Sequence, residues 1–245
     1  MSTTTASPLG GKVVAVPGGT GNVGEGIVRA FLKAGATVVV PSRSQGRLDN
    51  IVKLIGPELA ANLRTVAAGY ATFEEADRLA AGIVAEFGHV DHVTASVGGW
   101  WAGKALWQTT EDDWRKIFVD VATSHMALAR SFVPRLPEDG SYTTIAGFSS
   151  QKPYPGAGIV SMQGAAQLMM REVLTAELGG QPRVNDLVLG PVINRSRPGG
   201  DPTWLTADQV GEAAVGVART PSIAGEHVQL ATVADLQRER ARMAS

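Results

Sequence analysis

Glycines 18, 21 and 24 stand three residues apart, between an apolar run from Val13 to Val16 and a stripe of apolar residues at helical spacing. That spacing allows a tight turn, lets bare backbone approach a pyrophosphate, and aims the first amides of a helix at its charge. It points to dinucleotide binding, although a merely structural turn would use the same residues. One strand further on, Arg43 stands in PSRSQGRLDN, where the adenosine ribose of such a ligand would lie. No acid occupies the spot that would bind an unmodified 2′-hydroxyl, and a guanidinium suits a 2′-phosphate. NADP(H) is therefore favoured over NAD(H), with Ser42, Ser44 and Arg47 as helpers. A third group, Trp100, Trp101 and Trp107 in GGWWAGKALW, follows the run from His92 to Val97. Aromatics there could line an apolar substrate pocket, or form a packed loop or a subunit contact.

The elements that must hold these residues follow from periodicity. Val23, Ile27, Ala30, Phe31 and Ala34 predict a helix stopped by Gly35, and Thr37 to Val40 reads as a second buried strand. Further strands are expected at Arg64–Ala68, His92–Val97, Ser141–Gly147, Arg183–Leu189 and His227–Val233. Helices are expected at Phe73–Phe87, Glu111–Leu136, Gln163–Leu178 and Ala207–Ala218. Repeated strand–helix units imply an α/β fold, a doubly wound parallel sheet of about seven strands with helices on both faces. Residues 11–245 are expected to be a single domain and 1–10 a loose tail.

Composition limits the partners. With 245 residues, a formal charge of −1 and a pI near 6.4, the chain has no electrostatic reason to bind nucleic acid or an anionic membrane. It has no cysteine, which excludes thiolate chemistry, and no apolar run of membrane-spanning length. The histidines do not cluster with carboxylates at metal-ligand spacing, so no metal site is expected. A cytoplasmic location is the default.

From about Gly11 to Val233 the chain resembles the short-chain dehydrogenase/reductase family. The likeness rests on GGTGNVGEG after the first strand, SRS after the second, ASVGG at the end of the fourth, EDDWRKIF opening a long helix, and RVNDLVLGPV near the end. It implies a cofactor set of Gly18, Thr20, Gly21, Asn22, Val23, Gly24, Ser42, Arg43, Ser96, Gly98, Gln163, Pro191 and Ile193. It also shows departures. The family's YxxxK pair falls on Ile159 and Gln163, or with a one-residue shift on Val160 and Gly164, so neither register supplies a phenol or an ammonium. The family's helix asparagine falls near Val121, its strand-five serine near Ala146, and its adenine-contacting aspartate near Gly69. Asn22 stands where the commoner fingerprint has a second glycine.

Candidates to replace the missing groups are few. Tyr154, in a QKPYPGAG loop expected to overhang the nicotinamide end with Ser149, Ser150 and Lys152, offers a phenol. His125, four residues after Val121 and so on the same helix face, has an ordinary pKa suited to proton transfer. Gln163 could hydrogen-bond a ribose but carries no charge. Trp100, Trp101, Ser149 and Tyr154 are the expected substrate pocket. Three functions compete: an NADP(H) oxidoreductase with a non-standard site acting on a small, apolar carbonyl or activated substrate; a lyase, cyclase or isomerase on the same scaffold; and a dinucleotide-sensing protein. The resemblance and the small-residue face of the helix from Gln163 also imply a homodimer or homotetramer.

Overall fold

The computed structural model describes residues 7–243. Strand β1 (Val13–Ala15) leads through the glycine turn into α1 (Gly24–Lys33), and β2 (Thr37–Ser42), α2 (Gln45–Ile55), α3 (Pro57–Ala60) and β3 (Leu63–Ala67) complete one half. Then come α4 (Phe73–Phe87), β4 (His92–Ala95), α5 (Glu111–Trp114), α6 (Asp120–Phe132), β5 (Ser141–Gly147), α7 (Gly158–Leu178) and β6 (Arg183–Leu189). A two-stranded ribbon, β7 (Val192–Ile193) with β8 (Leu205–Thr206), precedes α8 (Ala207–Arg219), β9 (His227–Leu230) and α9 (Val233–Met243). The seven-stranded sheet is wholly parallel, in the order β3-β2-β1-β4-β5-β6-β9. This is the doubly wound α/β architecture expected from the alternation of patterns.

Strand alternation sends neighbouring residues to opposite faces, and each face has its own core. Val14, Val16, Val38 and Val40 pack with Ile27, Phe31, Leu48 and Val210 on the α1, α2 and α8 side. Val13, Ala15, Val39 and Val93 pack with Leu79, Ile83, Leu128 and Phe132 on the α4 and α6 side. Helices α1 and α8 approach unusually closely: a Cβ on Gly26 would lie 2.1 Å from Ala207 O, and one on Gly211 2.3 Å from Gly26 O.

Several element ends differ from expectation for local reasons. Ser44 accepts the amide of Arg47 and caps α2, whose buried Leu48, Ile51 and Ile55 turn the stretch after β2 into a helix. The expected helix over 111–136 is interrupted by a π turn at Arg115–Val119 and ends in a 3₁₀ turn, Val133–Arg135, at Pro134. Helix α7 starts five residues earlier than expected, so Ile159 to Met162 are helical. Strand β9 stops at Leu230 because Thr232 and Asp235 bond reciprocally, side chain to backbone, and open α9. Of the expected tail, residues 1–6 lie outside the described ones; Leu9 is buried and its amide donates to Ala34 O at 2.8 Å. No helix among the described residues is long and apolar enough to cross a membrane.

Candidate functional site

The carboxyl ends of β1 and β4 meet at the glycine turn. Gly18 has φ +80°, and a Cβ there would lie 2.1 Å from Ser96 O; one on Gly24 would lie 2.2 Å from Gly18 O. Ser96 in turn donates its amide to Pro17 O at 2.8 Å. Only bare backbone fits at Gly18 and Gly24, which sets this turn against Ser96 at the amino end of α1. Val121 Cγ1 lies 3.3 Å from where a Gly98 Cβ would stand.

Arg43 is exposed just past β2, and Arg47 follows in the first turn of α2. Ser42 is buried and its hydroxyl accepts the Ser44 amide at 3.2 Å, so both serines are occupied in shaping this turn. A residue that sequence reasoning missed, Tyr70, links the glycine turn to this arginine pair. Burial raises its phenol, opposed by a hydrogen bond from the Gly18 backbone and by the charges of Arg43 and Arg47. A tyrosine shortly after a strand carries no local signal for that contact. At Gly69 the space of the expected aspartate is taken by the Glu75 carboxylate, 2.6 Å from a Cβ position.

Tyr154 and Trp100 meet edge to face, with ring centroids 5.1 Å apart, and both are more than half exposed. Gly103 donates its amide to Gly156 O at 2.9 Å, tying the tryptophan loop to the Tyr154 loop. Trp101 and Ser149 are half-buried beside them in sequence, whereas Trp107, 84% exposed, is not packed into a pocket. Pro191 and Ile193 lead from β6 into a loop that reaches the glycine turn: Asn22 Nδ2 donates to Ser196 Oγ at 2.7 Å, and Arg195 Nε to Glu25 Oε2 at 3.0 Å.

Two of the expected proton-handling and ribose-binding residues have other roles. His125 is buried; its Nε2 donates to Val97 O at 3.2 Å, and Nδ1 has no partner among the described residues. Burial pushes its imidazole down to about 4, so it is neutral at pH 7, with Nε2–H committed to Val97 O. Gln163 is buried and points its amide at Gln167 Oε1, 3.5 Å away, not outward toward a ribose. Gln167 donates to Thr144 Oγ1 at 2.6 Å, Thr144 donates to Asp186, and Asp186 Oδ2 bonds His227 Nδ1 at 2.9 Å. Burial pushes Asp186 up to about 6 against the opposing pull of Thr144, His227 and Arg171. Gln163 thus ends a buried polar chain between α7 and the sheet. Ile159 is fully buried, and a Cβ on Gly164 would lie 2.7 Å from the Ser150 Cβ, so neither register leaves open space for the YxxxK side chains. No cluster able to hold a metal ion occurs among the described residues.

Known proteins share this framework. The family model described as enoyl-(acyl carrier protein) reductase matches residues 19–229. Dehydrogenase/reductase SDR family member 4 of Oryctolagus cuniculus is 31% identical over 193 residues, covering 76% of this chain and 73% of that protein. An uncharacterized oxidoreductase of Mycobacterium tuberculosis is 30% identical over 190 residues, covering 76% of this chain and 71% of that protein. Among solved structures, a short chain dehydrogenase from Burkholderia cenocepacia in complex with NADP superposes with a TM-score of 0.81 at 20% identity, over 91% of this chain and 98% of that one. A blue fluorescent protein from a metagenomic library, in complex with NADPH, gives 0.80 at 19% identity over 92% and 98%. With a parallel sheet in the order 3-2-1-4-5-6-9, a glycine turn closed against β4 and these relatives, the chain belongs to the short-chain dehydrogenase/reductase family of oxidoreductases.

Proposed function

We propose that this chain is an NADP(H)-dependent reductase of small, apolar, activated substrates, working without the family's tyrosine–lysine pair. The observation that carries the reading is the bare-backbone cradle at Gly18 and Gly24, whose Cβ positions are filled by Ser96 O and Gly18 O, with Arg43 and Arg47 exposed at its adenosine end. Those residues fit a dinucleotide carrying a 2′-phosphate. Bound NADP and NADPH in two structures of the same fold are in keeping with that choice. When bound, the nicotinamide supplies the hydride, and the protein has only to orient the reactants and exclude water. Trp100 and Tyr154 form an aromatic wall suited to an apolar substrate. With His125 neutral and enclosed and Gln163 turned inward, Tyr154 Oη is the exposed candidate for delivering a proton. We further propose that the enzyme works in the cytoplasm as a homodimer or homotetramer.

Turnover of NADPH with an activated carbonyl or enone tests the reading. Tyr154→Phe is expected to lower the rate by about 100-fold or more if its hydroxyl is the acid. An unchanged rate would assign the proton to water. The absence of phenol and ammonium at either register favours a second reading, a non-redox enzyme or a dinucleotide sensor. Product formed without loss of NADPH absorbance would indicate the former, and binding without product the latter.

A further inference from the structure

The loop after β6 is shaped before it reaches the glycine turn. Asn194 Oδ1 accepts the amides of Ser196 at 3.0 Å and Arg197 at 3.1 Å, and Asn194 and Arg197 exchange backbone hydrogen bonds of 3.0 and 2.9 Å. Asn194 Nδ2 donates back to Val192 O at 3.1 Å. The four residues from Asn194 to Arg197 are thereby pinned as one tight turn with Arg195 and Ser196 at its tip. That tip docks on the candidate dinucleotide site through Asn22–Ser196 and Glu25–Arg195, across some 170 residues of chain.

The second contact has an asymmetry. Glu25, in the first turn of α1, has a side chain only 9% exposed, and Arg195 spends only Nε on it. Nη1 and Nη2 of Arg195 make no hydrogen bond with any described residue, and its side chain is 46% exposed. The helix dipole and the guanidinium together favour the charge of this buried carboxylate. The pairing also orients: the guanidinium is fixed by one nitrogen on Glu25, the residue after Gly24, while its terminal donors stay unused. A guanidinium edge is a bidentate partner for phosphate oxygens.

We propose that Arg195 binds the pyrophosphate of the dinucleotide, carried in by the loop after β6, aimed by Glu25, and held down by the hydrogen bond of Asn22 to Ser196. This rests on the reading of the site as a dinucleotide site, and gives Asn22, which stands where the commoner fingerprint has glycine, a role of its own.

The test is calorimetric binding of NADPH, ADP and 2′-AMP to the wild type, Arg195→Ala and Arg195→Lys. Only 2′-AMP lacks a diphosphate. Arg195→Ala is expected to weaken NADPH and ADP by about 10- to 100-fold, as for lost charge-assisted hydrogen bonds, and to leave 2′-AMP unchanged. Arg195→Lys should fall between, keeping the charge but losing the fork. Thermal unfolding of both variants near the wild-type midpoint would establish that they are folded. Unchanged NADPH affinity in Arg195→Ala, or equal loss for all three ligands, would overturn the proposal while leaving the reductase reading standing. Failure of the wild type to bind NADPH would overturn both.

Discussion

Acidification should destabilise this protein through His125, by an amount that the structure sets. The imidazole is enclosed and donates Nε2–H to Val97 O, so a second proton must go on Nδ1, which has no acceptor among the described residues. Its folded value of about 4 lies below the ordinary 6.5. A depressed value in the native state means that protonation favours the unfolded chain; stability is complete above 6.5 and is lost as pH falls toward 4. Linkage over that window gives a loss of about 2.5 kcal/mol by about pH 4.5. His92, also buried, held at 2.9 Å by Ser141 Oγ and pushed by burial to about 4, adds a similar loss of about 2.5 kcal/mol. Asp186 works in the other direction. Raised from 3.8 to about 6, it takes up its proton more readily when folded and returns about 2 kcal/mol over the same interval. The three together leave a net loss of about 3 kcal/mol. His125→Gln keeps a donor for Val97 O but cannot titrate, so its stability should depend on pH less steeply by about 2.5 kcal/mol. Urea unfolding of both proteins at pH 7 and about pH 4.5 measures this directly. Equal losses in the two proteins would refute the argument, and would reopen His125 as a proton donor.

Three further outcomes are expected. Gly18→Ala should lower stability by about 1–3 kcal/mol from its φ of +80° alone, with the clash at Ser96 O in addition, and should abolish dinucleotide binding; thermal unfolding and calorimetry check both. Installing the family pair by Ile159→Tyr with Gln163→Lys should cost at least about 1–3 kcal/mol, by overpacking a fully buried position and burying an ammonium, with no gain in carbonyl reduction; an NADPH-linked rate above wild type would contradict the burial argument. Met126 on α6 and Met162, Met169 and Val173 on α7 are exposed apolar side chains, and light scattering should give a dimer or tetramer that Met169→Glu dissociates; a monomeric wild type would contradict this.

Much of the fold was legible because it is written locally. Phe73–Phe87 lies between a Thr72 cap and a left-handed Gly88, and Ser141–Gly147 and Arg183–Leu189 are strands buried on both faces. Helix α2 was missed because Gly46 and its exposed polar residues mask a stripe of only Leu48, Ile51 and Ile55. At the site, the glycine turn and Arg43 announce themselves by spacing and charge. Side-chain direction does not. Gln163 turns inward because Gln167 is itself held by Thr144, and His125 is enclosed by packing that four-residue periodicity cannot distinguish from a cleft. Arg195 and Glu25 meet across 170 residues of chain, and Tyr70, after β3, reaches Gly18, after β1. Such contacts are products of topology.

The central claim, that this cradle holds NADP(H), is tested most directly by calorimetric titration of the wild type and Arg43→Ala with NADPH and NADH. The wild type should bind NADPH about 10- to 100-fold more tightly than NADH, the worth of a charge-assisted contact to the 2′-phosphate, and Arg43→Ala should remove most of that difference while leaving NADH unchanged. Equal affinities for the two cofactors in the wild type, or binding of neither, would contradict it.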